Sequence, residues 1–159
     1  MGWDAMGLFF FRLFLIGLGV WLGAGVFDAL YGHLAWWNEP VRWIRFAAMP
    51  EGARDPWPYI TYGLAGLTLL SWAFFAFRRR GGALALSALF VATLIVAASL
   101  FYFTPSLEAI ISGADRLSED EIAAQSRLWI ELNLARLGLA AVGLYLGMMA
   151  TQRWTPGGI

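Results

Sequence analysis

The sequence contains no cysteine, and this removes disulfides, thiolate metal sites and thiol nucleophiles together. It contains no lysine either: all eleven basic residues are arginine, which we read as a GC-rich bacterial coding bias. Charge of both signs is scarce, at 14% of residues, where an ordinary soluble domain carries about a quarter. Formal net charge is zero, so no basic surface points to nucleic acid. There is one histidine, whereas protein metal sites combine several N, O or S ligands, so neither a metal nor another cofactor is expected. Phosphate-binding glycine loops, a Ser-His-Asp order and a transporter half-repeat are also missing. The N-terminus lacks the basic segment of a secretory signal, so the first apolar run is expected to stay as a helix.

Apolar residues, in contrast, are abundant: 60% of 159 residues, gathered in runs of about twenty, the length that crosses roughly 30 Å of hydrocarbon. The pattern predicts an all-α fold, an integral membrane four-helix bundle in one domain spanning 1–159. Transmembrane helices are expected at 8–34, 59–77, 83–103 and 127–150. Pro40, Pro50, Pro56 and Pro58 make 36–58 a structured extramembrane loop, with room for a short helix over 41–48. Thr104 and Pro105 predict a kink in the third helix, with helix continuing to Ile111. Ser118 and Glu121 fit a capping box that starts the fourth helix. An unbroken helix from there to Ala150 is about 48 Å long, more than a bilayer needs. Residues 104–126 should therefore form a helical hairpin projecting beyond the bilayer.

Arginine placement sets the orientation. Arg78, Arg79 and Arg80 fill a tight loop without a nearby acid, and Arg153 lies on the same side. Both termini are accordingly assigned to the cytoplasm of a bacterial inner membrane, multi-pass. Trp36, Trp37, Trp43, Trp57, Tyr59, Tyr102 and Trp129 are then expected as an aromatic belt at the outer interface.

The candidate chemistry lies on the fourth and first helices. At 100° per residue, Trp129, Asn133, Arg136, Ala140, Gly143 and Gly147 share one stripe, which small residues direct toward the bundle. An arginine within hydrocarbon costs from about 2.5 kcal/mol upward unless paired or hydrated. Arg136 is a candidate to bind an anion or stabilise an oxyanion, or else to clamp helix register through a buried ion pair. Asn133, one turn outward, is a candidate to orient a ligand or to bond a neighbouring helix. Asp28 is the candidate partner of Arg136, as general base or as a static pair. His33 and Glu108 are further candidates for proton transfer in the same outer vestibule. Arg127 and Glu131 are expected to pair at the interface, and Arg12 to reach the cytoplasmic surface. The first helix carries small residues on two faces, Gly19 with Gly23 and Gly17 with Gly25, and both should pack.

Phe103 to Pro105, the acidic helix start, and Arg127, Trp129, Asn133 and Arg136 leading into an Ala/Leu/Gly span resemble the anthrone oxygenase-like family of small four-helix membrane proteins. Gly23 to Phe27 in the first span adds a generic similarity, and the specific part covers about fifty residues, mainly 103–150. The long tryptophan-rich first loop departs from that pattern. The resemblance implies cofactor-independent oxidation of an apolar aromatic substrate, an anthrone, to an anthraquinone. Arg136 would stabilise the oxyanion, Asn133 would orient it, and Asp28, His33 or Glu108 would take the proton. A second function class fits the glycine faces and exposed aromatics: an accessory subunit of a larger photosynthetic or respiratory membrane complex, or a homo-oligomer, contacting proteins, lipids or pigments.

Overall fold

A computed structural model describes residues 3–49, 57–78 and 82–153, with the backbone alone at 3–4, 33–35 and 76–78. Of these residues 92% are helical and none is in a strand. In chain order the elements are α1 (Trp3–Asp28), a π-helical turn (Ala29–His33), α2 (Leu34–Asn38) and α3 (Pro40–Ala47). Then come α4 (Trp57–Arg78), α5 (Ala83–Ala98), a second π-helical turn (Ser99–Phe103), α6 (Thr104–Ser112) and α7 (Glu119–Gln152).

Among the described residues, three stretches are long and apolar enough to cross a membrane: Ala5–Gly32, Ala83–Ser112 and Glu119–Gln152, of 28, 30 and 34 residues. The fourth long helix, α4, has 22 residues. α1 packs on α4 and α7, and α5 packs on the same two, so the four long helices close a circuit. Their shared core is built from Phe11, Phe14, Leu18, Trp21, Leu64, Leu89, Ile95 and the small residues Ala85, Ala88, Ala92 and Ala140.

Glycines let α7 come close. A Cβ at Gly143 would stand 2.8 Å from Val91 Cγ1, and one at Gly147 would collide with Leu15. Gly25 of α1 gives the same room to Leu137 of α7. With these gaps filled by neighbouring side chains, backbones approach and dispersion contacts multiply, the way helices hold together in an apolar solvent. The other face of α1 behaves differently. Both faces are expected to pack, yet nothing among the described residues comes within 4 Å of a Cβ at Gly19 or Gly23. Of the two faces, the chain itself occupies the one that carries Gly17 and Gly25.

A second core sits at one end, where α2 and α3 fold over α6 and the start of α7. It comprises Trp36, Ile44, Phe103, Ile110, Ala114, Ile122, Trp129 and Ile130. α3 begins with Pro40 in its first turn, where a missing N–H costs nothing, and turns Ile44 inward. This helix falls one residue from the short helix expected at 41–48; the expected Pro50 and Pro56 loop positions lie outside the described residues.

The expected kink at Pro105 takes the form of a widened turn. Proline has no N–H, and its ring would press on the carbonyl four residues back. Helix is kept by loosening the preceding turn to five-residue spacing, with the Thr104 N–H donating to the Ser99 carbonyl. α7 starts as the sequence predicts. The Glu121 N–H donates to Ser118 Oγ at 3.3 Å, and the Ser118 N–H donates to Glu121 Oε2 at 2.9 Å, completing the capping box.

Candidate functional site

The stripe read from helical spacing on α7 is its packed face: Trp129, Asn133, Ala140, Gly143 and Gly147 are all buried there. Arg136, also on that stripe, lies where the two cores meet. Its guanidinium carbon is 4.0 Å from the centre of the Phe103 ring and 4.9 Å from that of Trp21, one ring from each core.

Among the described residues, the hydrogen bonds of Arg136 are all to neutral groups. Nη1 donates to Ser99 Oγ at 2.7 Å, and Nη2 donates to Asn133 Oδ1. The Ser99 hydroxyl in turn donates to the Ile95 carbonyl at 2.6 Å, so both its donor and an acceptor position are engaged. Nε is buried and has no hydrogen-bond partner among the described residues. A guanidinium carries five N–H donors, and two are committed here. Cation–π contacts are worth about 2 kcal/mol each when desolvated. A buried ion carries a penalty of about several kcal/mol, so rings and neutral acceptors offset much of the charge without cancelling it.

One π-helical turn borders this place: Ser99 and Phe103 are its first and last residues, and both touch Arg136. The Phe103 carbonyl accepts from Trp129 Nε1 at 3.0 Å, and the Phe103 ring meets that indole edge-on at 5.7 Å between centroids. Trp129 stacks on Trp36 at 5.8 Å, and Trp36 meets Trp43 at 4.5 Å. Two of the tryptophans expected in a surface belt, Trp36 and Trp129, are thus buried in the end core behind Phe103. Tyr59 and Tyr102 are exposed.

Of the five candidate residues, two are brought together: Asn133 and Arg136. The expected ion pair of Asp28 with Arg136 is not formed among the described residues. Gly25 is level with Leu137, so Asp28 lies about 4.5 Å farther along its helix. Its carboxylate also folds back over Gly32, with Oδ1 2.7 Å from where a Cβ would be. The His33 side chain lies outside the described part of the structure. Glu108 is exposed on α6 and bonds to none of the others among the described residues. Arg127 and Glu131 are both exposed and do not pair there.

Ser99, Trp21 and Phe103 complete the site and were not singled out as site residues by sequence. Ser99 is one of three small hydroxyl residues in its apolar run, with Ser87 and Thr93, so sequence does not single it out, and the structure buries it to 3% exposure. No group of three or more His, Cys, Asp or Glu that could hold a metal occurs among the described residues. Compared with known protein families, with curated proteins and with solved structures, the chain matches none.

Proposed function

We propose that the chain is a bacterial inner-membrane protein of four transmembrane helices that binds an apolar aromatic molecule bearing an acidic oxygen beside Arg136. The observation that carries this is the guanidinium of Arg136, held between two rings and, among the described residues, bonded to neutral acceptors alone with its Nε unbonded. A cation in that setting is short of one negative charge, and an oxyanion supplies it. Three long apolar stretches support insertion, and the closed circuit through α4 supports a fourth crossing. α6 and the first turns of α7 then project outside, with both termini on the cytoplasmic side where Arg153 lies.

The resemblance to anthrone oxygenase-like proteins supplies the reaction that suits such a site. A base removes one acidic proton from the anthrone, and the resulting enolate passes its electron pair to dioxygen. Loss of water from the peroxide leaves the new quinone carbonyl, so one substrate and one dioxygen give one quinone and one water. Arg136 stabilises the enolate oxygen and Asn133 holds the guanidinium toward it, with Asp28, His33 or Glu108 as base. The test is oxygen uptake by the purified chain with a hydroxylated anthrone. Arg136→Ala is expected to abolish uptake while the protein still inserts; undiminished uptake removes Arg136 from the chemistry.

A subunit role has its own support: Gly19, Gly23, Gly63 and Gly66 present small, open positions within the chain. Such positions accept close helices of a partner or a second copy. Extraction in gentle detergent separates the two, because stable co-migration with a large pigment- or haem-bearing assembly favours the subunit.

A further inference from the structure

Between α3 and the first turns of α7 lies a groove of about 720 Å³ with six charged residues in its lining. Four of these already neutralise one another: Arg42 bonds Glu39 at 2.8 Å, and Arg45 reaches across to Glu119 at 3.1 Å. The other two, Asp120 and Arg127, have no ion-pair or hydrogen-bond partner among the described residues. They are one charge of each sign. Seven residues apart on α7, they share a face and lie about 10.5 Å apart along the axis. Side chains on a helix lean toward its N-terminus, and arginine is longer than aspartate, so Arg127 narrows that gap from below without closing it.

We propose that this groove is a headgroup site for a phosphatidylethanolamine-type lipid, with Asp120 taking the ammonium and Arg127 the phosphate. The inference rests on the membrane reading above and not on any reaction at Arg136. Its chemistry is that of a zwitterion. An ammonium offers N–H donors to a carboxylate, and a guanidinium offers a donor fork to a phosphate. The rim supplies the apolar side: Phe46 is 51% exposed and Met49 57% exposed, beside the groove. These are the turns of α7 expected to stand just outside the apolar span, at headgroup level. A phosphatidylglycerol headgroup offers Asp120 only neutral hydroxyls in place of a cation, and a choline headgroup has no N–H to give it.

The test uses the full chain in detergent, incubated with an equimolar mixture of phosphatidylethanolamine, phosphatidylcholine and phosphatidylglycerol of identical acyl chains. Native mass spectrometry then counts the lipid retained. Ethanolamine lipid is expected to exceed each of the others by about threefold, the scale of an exposed charge pair. Asp120→Asn should abolish the preference over phosphatidylcholine, and Arg127→Gln should lower retention of all three. Arg153→Gln, at the far end of α7, should change nothing. Equal retention of the three lipids by the unaltered chain overturns the proposal without reliance on any variant. So does a preference for phosphatidylglycerol, and so does insensitivity to both groove variants. Displacement by soluble phosphoethanolamine at matching concentration overturns the lipid assignment in favour of a free zwitterion. Resistance of the protein to alkaline extraction tests the membrane reading separately, so the two failures are distinguishable.

Discussion

The two cores of this molecule are built on different principles. The core of the four long helices is made of Phe, Leu, Ile and Ala closing over glycine seams. Hydroxyls settle its polar needs, as where Thr68 Oγ1 donates to the Leu64 carbonyl at 2.8 Å and Trp21 Nε1 donates to Thr61 Oγ1 at 3.3 Å. The end core sets Trp36, Phe103 and Trp129 among four isoleucines, and the bond from Trp129 Nε1 to the Phe103 carbonyl ties α7 to a widened turn. Close helix approach in the first core depends on glycines where helices touch, and the second is tied by ring contacts among Trp36, Trp43, Phe103 and Trp129. Arg136 stands at their border, with one ring from each core against it and no ion pair among the described residues.

That contrast can be broken from either side. The largest effect is expected in the aromatic core: Trp129→Ala leaves a cavity and should cost about 3–5 kcal/mol in thermal unfolding followed by circular dichroism in detergent. Trp129→Phe, which keeps most of the ring and loses the bond to Phe103, should cost about 1 kcal/mol. In the glycine seam overpacking is the danger. Gly143→Ile meets the stiff Val91 and should cost about 1–3 kcal/mol. Gly138→Ile, where nothing lies within 4 Å among the described residues, should cost nothing by the same measurement.

Smaller effects are expected at the exposed start of α7. Ser118→Ala removes the cap and should cost about 1 kcal/mol. The Ser118 N–H, and then its hydroxyl, bond the Glu121 carboxylate and hold its pKa below the ordinary glutamate value. A lowered folded pKa means stability present above the unfolded value and lost as pH falls through the folded one. Protection of the amides in the first turn of α7, relative to their intrinsic exchange rates, should therefore fall as pH drops below the ordinary glutamate pKa. Ser118→Ala, which removes the hydroxyl bond and keeps the N–H bond, should weaken that dependence. The smallest effect is expected at the exposed Arg42–Glu39 pair, where Glu39→Gln should shift the midpoint by no more than about 1 kcal/mol.

How far these features could be read from sequence follows from how local their causes are. The apolar runs, the capping box at Ser118 and the inward stripe on α7 depend on spacing along one helix, so periodicity reveals them. The widened turn at Ser99 to Phe103 was half legible: Pro105 announces a disturbance, yet a kink and a π-helical turn both relieve it. Asn133, a partner of Arg136 on the same helix, was legible, but Ser99, Phe103 and Trp21 were not, because they come from two other helices whose rotation no single-helix pattern fixes. Charge alone pointed to Asp28, but Gly32 allows that carboxylate to fold back onto its own helix. The burial of Trp36 and Trp129 was hidden for a related reason, since tryptophans near a helix end suit an interface as well as a core.

Arg136 is there either to meet a ligand or to hold helices together, and Arg136→Met separates these roles. Methionine keeps much of the volume and removes the charge, and replacing a buried ion by an apolar residue is often neutral or stabilising. With the protein in detergent, unfolding midpoint and anthrone-dependent oxygen uptake are read on the same preparation. An arginine that meets a ligand should leave the midpoint equal to or above that of the unaltered chain, with oxygen uptake lost. A midpoint lowered by the equivalent of about 3 kcal/mol with uptake retained would refute the ligand role and make Arg136 a structural clamp.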